Sequence, residues 1–271
     1  MRKGDFMSEF KVQNYDVEEI QDKIFSIFLE FDRVCKKNNL SYTLEGGSLL
    51  GAVLYQDFIP WDDDMDIIML RKDYEKFCEI VNNELSEKYV FENMYTNKEY
   101  PFLFGKIFDK TTIYRAKNLS HLNIEHGVFL DIFVEDKIKP STKKIHSRLV
   151  AAVGTVKYIK LKVEKFRARH ILYAPLFLLS NEQLNKLADY LMKYYENKET
   201  GYVYPLCQSI NVKPPLPMRL MTEFVDGKFH GFDVKIPKCH MWYLHKHYET
   251  PMEIPPKEKQ YPTHGVEEVR L

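Results

Sequence analysis

Four carboxylates in five residues run straight into an apolar stretch at Asp62-Asp63-Asp64-Met65-Asp66-Ile67-Ile68-Met69-Leu70. Ile67 to Leu70 belong in a core, so the acids sit at the mouth of a buried strand rather than on a free turn. Strand side chains alternate between faces, so Asp64 and Asp66 project to the same side. Two carboxylates placed this way repel each other unless a cation lies between them. Oxygen-only ligands at this spacing suit Mg²⁺ or Mn²⁺. Asp62, Asp64 and Asp66 also match the opening of a calcium loop. Ile67 and Asp73 stand where that loop requires Gly and Glu, which excludes it.

A third carboxylate, Asp131, lies between Leu130 and Ile132 in the apolar run GVFLDIFV. A charge inside such a strand is costly unless it is paired or metal-bound. Joined to Asp64 and Asp66, it completes a carboxylate platform of the kind that metal-assisted phosphoryl transfer uses. The turn Gly46-Gly47-Ser48 ends 16 residues before Asp64 and leads into a short helix predicted over Leu49–Tyr55. Glycines let backbone amides approach a phosphate, and a helix N-terminus favours an anion.

Hydrophobic periodicity predicts a helix over Val17–Lys37, capped by Asp16 and ended by Asn38 and Asn39. Short strands are expected at Ser41–Glu45, Asp64–Leu70, Val90–Met94, Phe102–Phe108 and Gly127–Val134, with a helix over Asp73–Leu85. The pattern is α+β: a small mixed sheet flanked by helices. Residues 1–139 read as the core, 140–200 as a basic helical insertion, and 201–271 as a segment that completes the core. Lys137 to His170 hold eleven Lys or Arg against one acid, Glu164, interleaved with apolar residues. That composition predicts long amphipathic helices suited to an anionic membrane surface or a polyanionic acceptor.

Across all 271 residues, 39 basic side chains balance 39 acidic ones, which argues against a chain that coats nucleic acid. The N-terminal MRKGDFMSEF carries no apolar leader, no apolar run is long enough to span a bilayer, and the four cysteines form no C-x-x-C pair. The expectation is a reduced cytoplasmic protein, peripheral at the membrane at most. Cys239, His240, His245 and His247 match no compact zinc module. Trp61, Tyr42, Tyr55 and Phe58 lie near the acidic block and are candidates to line a cationic subsite.

GGSLLGAVLYQDFIPWDDDMDIIM followed by RKDYEKF closely resembles the signature of the LicD-family phosphotransferases, relatives of fukutin-type enzymes in the nucleotidyltransferase-fold superfamily. FGKIFDKTT, GVFLDIFVED and YLHKHYETPMEIPPKEKQYPTH match later family blocks. The resemblance implies that Asp64, Asp66 and Asp131 are catalytic and bind metal. It places Gly46, Gly47, Ser48, Trp61, Asp62, Asp63, Lys106 and His264 at the substrate. The implied reaction moves a phospho-alcohol, phosphocholine foremost, from a CDP-activated donor to a hydroxyl of a cell-surface glycan precursor, with release of CMP. The implied acceptor is lipid-linked, of teichoic acid, capsule or lipopolysaccharide type. The chain departs from the family at Leu54 and Tyr55, where a basic pair is usual, so another cation must serve there. Nucleotidyl transfer and a non-catalytic glycan-binding scaffold are the alternative readings.

Overall fold

The longest strand, β6 (Val128–Lys137), organises the chain in the computed structural model, which describes residues 15–208, 214–248, 250–262 and 264–271. The N-terminal segment read for a leader lies outside the described residues. The main sheet runs β1 (Thr43–Leu44), β2 (Asp66–Leu70), β6, β4 (Gly105–Asp109), β3 (Tyr89–Glu92). Only the β2–β6 pairing within it is parallel; its other ladders are antiparallel. Past the end of β4, the last residues of β6 pair instead with β7 (Tyr202–Tyr204), which in turn pairs with β8 (Leu216–Pro217). The expected mixed sheet flanked by helices is therefore the observed one.

Helix α1 (Val17–Lys37) forms where the apolar spacing places it and packs against β6 and β4. The Asp16 carboxylate accepts from the Glu18 amide, and Asn39 takes a left-handed φ of 52° as the chain leaves the helix. Ile20, Ile24, Ile27, Phe28 and Phe31 are buried on its inner face. Helix α2 (Gly46–Leu54) begins earlier than its sequence suggests, so the glycines are its first turn rather than a loop before it. Helix α3 (Arg71–Glu84) follows β2 directly and packs back on β2 and β6.

Two small antiparallel ribbons complete the frame. Strand β5 (Ile113–Ala116), which its sequence does not advertise, receives the C-terminal β11 (Val266–Arg270). Strands β9 (Phe224–Phe229) and β10 (Phe232–Pro237) join through His230 and Gly231, at φ 50° and 75°. Two consecutive left-handed residues give the tight turn that suits strand twist. This hairpin packs on α2 and β1, with the Phe229 ring 4.7 Å from that of Phe58. Helix α6 (His240–His247) follows it and packs on α2.

After its first helix, the insertion departs from the expected long amphipathic helices. It contains α4 (Lys143–Lys160), an exposed turn, a 3₁₀ run over Ala168–Leu178, and α5 (Asn181–Met192). Pro175 lies inside the 3₁₀ run, where it cannot supply the amide an α-helix would need. Val150, Val153, Val156, Leu184 and Ala188 belong to the same hydrophobic cluster as Ile132 and Val134 of β6. Lys157 is fully buried, and burial pulls its ammonium down to about 7. The Lys160 ammonium donates to the Leu179 carbonyl oxygen. Neither lysine forms part of an outward basic face.

Burial of one ion pair fixes the start of α3. The Arg71 Nε donates to Asp136 Oδ1 at 2.7 Å, with the two side chains 3% and 0% exposed. Breaking such a pair leaves an uncompensated buried charge. Arg71→Met is expected to cost about 3–5 kcal/mol in urea unfolding, and Arg71→Met/Asp136→Leu to recover most of it. Equal losses in the single and double variants would contradict this account.

Candidate active site

Register across the central sheet sets one row of charged side chains. Asp66 on β2 lies opposite Asp131 on β6, and Lys106 on β4 lies opposite the same Asp131. Residues opposite one another on adjacent strands share a face. Asp131 and Lys106 are both 6% exposed and form an ion pair of 2.5 Å. The Lys106 ammonium also lies 3.4 Å from the centre of the Phe129 ring, a cation–π contact. Burial still raises the Asp131 carboxyl above its ordinary value, against the pull of Lys106. Asp66 is pushed well above the usual carboxylate range, by burial first and then by Asp64, Asp131, Glu45 and Asp62.

The acidic loop is held from behind by α1. The Gln21 amide donates to the carbonyl oxygens of Ile59 and Asp62, at 3.1 and 2.8 Å. Successive aspartates then point in different directions. Asp62 turns toward α2, and burial, then Asp64 and Asp63, push its carboxyl up to about 8. Asp63 is 1% exposed and accepts from the Tyr15 hydroxyl at 2.5 Å and from the Tyr114 hydroxyl. Its other oxygen is 2.9 Å from His264 Nδ1, whose Nε2 lies 3.6 Å from Asp64. Asp63 is thus a structural anchor for its neighbours. Burial disfavours a charged His264, but the hydrogen bond to Asp63 and the fields of Asp64 and Asp63 outweigh it, raising the imidazole to about 9.

The glycines of α2 make room for these carboxylates. Gly46 has φ +51°, and a Cβ there would meet Asp66 Oδ2 at 3.3 Å. A Cβ on Gly47 would lie 2.7 Å from Asp62 Oδ2, closer than real contacts allow. Both acids therefore rest against the positive end of a helix whose first amides have no side-chain cap. The Ser48 hydroxyl oxygen accepts from the Asp66 amide at 2.8 Å, which ties α2 to β2. The Trp61 ring packs edge-on to that of Tyr55, with centres 6.4 Å apart.

Sequence reasoning did not find the cleft beside this row. It has a volume of about 390 Å³ and is lined by Phe102, Phe104, Phe108, Tyr114 and Phe129, with Lys106, Asp131, Glu125 and His264 among its polar walls. The aromatics suggested by proximity in sequence lie elsewhere. Tyr42 donates to Asp32 at 2.7 Å and packs on Phe31, and Phe58 is buried under Phe229. Glu45 was also missed: it is 3% exposed and accepts from the Tyr243 hydroxyl of α6. Its position directly before the glycines was the available signal. The phenylalanines of the cleft come from two strands and their approaches, so no local pattern announces them.

Residues 39–146 match the family model described as LicD/FKTN/FKRP, nucleotidyltransferase domain. Over those residues the chain is similar to a LicD-family domain. It is 29% identical over 249 residues to the lipopolysaccharide cholinephosphotransferase LicD of Haemophilus influenzae, covering 86% of this chain and 90% of that protein. An uncharacterized protein of Rickettsia typhi is 27% identical over 139 residues, covering 51% of this chain and 44% of its own. Gly46, Gly47, Ser48, Trp61, the four aspartates from 62 to 66, Lys106 and Asp131 all lie within the LicD-family span, whereas His264 lies beyond it.

The carboxylates of this row have the donor chemistry of a site for a hard divalent cation. They offer only oxygens, and the field of Asp64 raises the affinity for protons of both Asp66 and Asp131. Among the described residues, no three His, Cys, Asp or Glu side chains are gathered to hold a metal ion as they stand. Asp131 is engaged by Lys106, and Asp64 lies beside His264.

The His264 environment has a measurable consequence. A histidine raised from 6.5 to about 9 stabilises the fold fully below 6.5 and loses that contribution as pH climbs through about 9. NMR titration of His264 is expected to give a midpoint well above 6.5 in the native chain. The midpoint should move back toward the ordinary histidine range in Asp63→Asn. A native midpoint at the ordinary value would refute the assigned partners.

Proposed function

We propose that the chain is a metal-dependent phosphotransferase. It moves a phospho-alcohol, phosphocholine foremost, from a CDP-activated donor to a hydroxyl of a lipid-linked cell-surface glycan precursor. The observation that carries this reading is the in-register row of Asp66, Asp131 and Lys106, facing an uncapped helix N-terminus and opening on an aromatic cleft. Similarity to the Haemophilus cholinephosphotransferase supports the choice of alcohol. Phe102, Phe104, Phe108 and Tyr114 offer ring faces of the kind that bind a quaternary ammonium.

Asp64, Asp66 and Asp131 would hold Mg²⁺ or Mn²⁺, which supplies charge neutralisation at the donor diphosphate. The amides of the α2 first turn receive phosphate oxygens, and the glycines allow the close approach. Lys106 and protonated His264 add positive charge where the leaving phosphate gains negative charge. Together they supply the cations that Leu54 and Tyr55 do not. The acceptor hydroxyl oxygen attacks the phosphorus nearer the alcohol. A new O–P bond forms, the bridging P–O bond breaks, and CMP leaves with that electron pair. Asp131 can also take the hydroxyl proton, although a metal-bound carboxylate is a poor base. Positioning and electrostatic stabilisation supply most of the rate, as phosphoryl transfer offers little covalent work to the protein.

CMP release from CDP-alcohols, with a membrane glycan extract as acceptor, tests the reading. Asp64→Asn and Asp66→Asn are each expected to lower turnover by at least about 10²-fold while the folded chain persists by circular dichroism. EDTA should abolish turnover, and Mg²⁺ should restore it. Pyrophosphate release with a nucleotidylated acceptor would instead establish nucleotidyl transfer. No product from any donor would favour a binding role.

A further inference from the structure

We infer that the segment following α4, residues 162–178, inserts into an anionic lipid surface. Its apolar side chains are exposed: Phe166 by 56%, Ile171 by 63%, Leu172 by 84% and Leu178 by 88%. One exposed leucine needs no explanation, but four large apolar residues within thirteen do. They are not the product of a loose loop. Tyr173, Leu176 and Phe177 of the same run pack against the core, and the Phe166 and Phe177 rings lie 5.8 Å apart. Lys160 fastens the far end of the segment through the Leu179 carbonyl. A pinned 3₁₀ run therefore projects its remaining apolar side chains outward.

Charge selects the occupant. Lys162, Lys165, Arg167 and Arg169 are exposed, and Glu164 is the one acid between Lys162 and Ser180. Basic side chains lie among protruding apolar ones, which is the composition of an interfacial anchor on anionic lipid. Their long stems can reach the headgroups while the neighbouring leucines enter the acyl boundary. Side chains more than four-fifths exposed protrude, which suits a fluid bilayer better than a packed protein face. No helix among the described residues is long and apolar enough to cross a membrane, so attachment here is superficial. The start of the segment reaches the cleft through one residue: the Val163 amide donates to the Tyr158 carbonyl oxygen at 2.8 Å, and the Tyr158 ring packs edge-on against Phe102 of the cleft.

Flotation of the full chain with vesicles tests this without reference to catalysis, so a failed transfer assay would leave the result standing. The chain is expected to float with phosphatidylglycerol-rich vesicles at low salt and to stay behind with pure phosphatidylcholine. Leu172→Ser/Leu178→Ser should reduce the bound fraction about ten-fold or more, and Lys165→Glu/Arg167→Glu should do the same. Thermal melting of both variants should match the parent, because all four positions are exposed. A parent chain that does not float at low salt overturns the inference. So do variants that float as well as the parent. Size-exclusion showing a dimer that Leu172→Ser/Leu178→Ser converts to a monomer would assign the face to a second copy instead.

Discussion

Carboxylates facing one another across a hydrophobic sheet repel with little water to screen them, and the centre of this protein is arranged around that repulsion. Asp66 and Asp131 stand side by side on β2 and β6, with Asp64, Asp62 and Glu45 close enough to raise the proton affinity of Asp66 further. Each neighbouring feature offsets part of the cost. Lys106 pairs with Asp131 and His264 sits beside Asp64, while α2 turns its positive end toward Asp62 and Asp66. A folded core ordinarily avoids such a cluster, and a fold that keeps one retains strong affinity for cationic charge.

Strand β6 makes the arrangement possible by changing partners along its length. Its first half lies between β2 and β4, which places an acid from β2 and a lysine from β4 on either side of Asp131. Its last residues leave β4 and accept β7, and there Asp136 meets Arg71 at the head of α3. One strand thus carries the charged row of the site and the ion pair that anchors a helix. Register is correspondingly demanding. A slip of one residue in β2 would send Asp66 to the opposite face and Ile67 to the site.

Much of this was legible in the residues. The apolar spacing of α1, the acids running into β2 and the carboxylate set in the apolar first half of β6 follow from local rules of periodicity and burial. The grouping of Asp66, Asp131 and Lys106 required register, which no single strand encodes. The glycines were read as a turn because Gly is a poor helix former. Tertiary context overrides that preference, since Gly46 takes a left-handed φ and a Cβ on Gly47 would crowd Asp62. Lys157 and Lys160 illustrate the opposite failure. A basic run looks like a solvated face in sequence, yet one lysine is buried and the other caps the carbonyl end of a 3₁₀ run. The aromatic cleft was invisible because its rings arrive from β4, β5, β6 and their approaches.

The two cations beside the acids come from distant parts of the chain, and this couples the site to the whole fold. Lys106 is carried by a central strand and is wedged against Phe129, so it forms with the sheet. His264 arrives only when β11 closes on β5, a contact spanning some 150 residues of chain. The Lys117 amide donates to the Gly265 carbonyl oxygen at 2.9 Å, which fixes that return immediately beside His264. Asp63 accepts from Tyr15 near the beginning of α1, from Tyr114 on β5 and from His264 near the end of the chain. A chain with only its central sheet assembled would hold Asp66 and Asp131 together with one counter-charge. The second depends on the β5–β11 pairing, and with it comes the contact of His264 with Asp63 and Asp64.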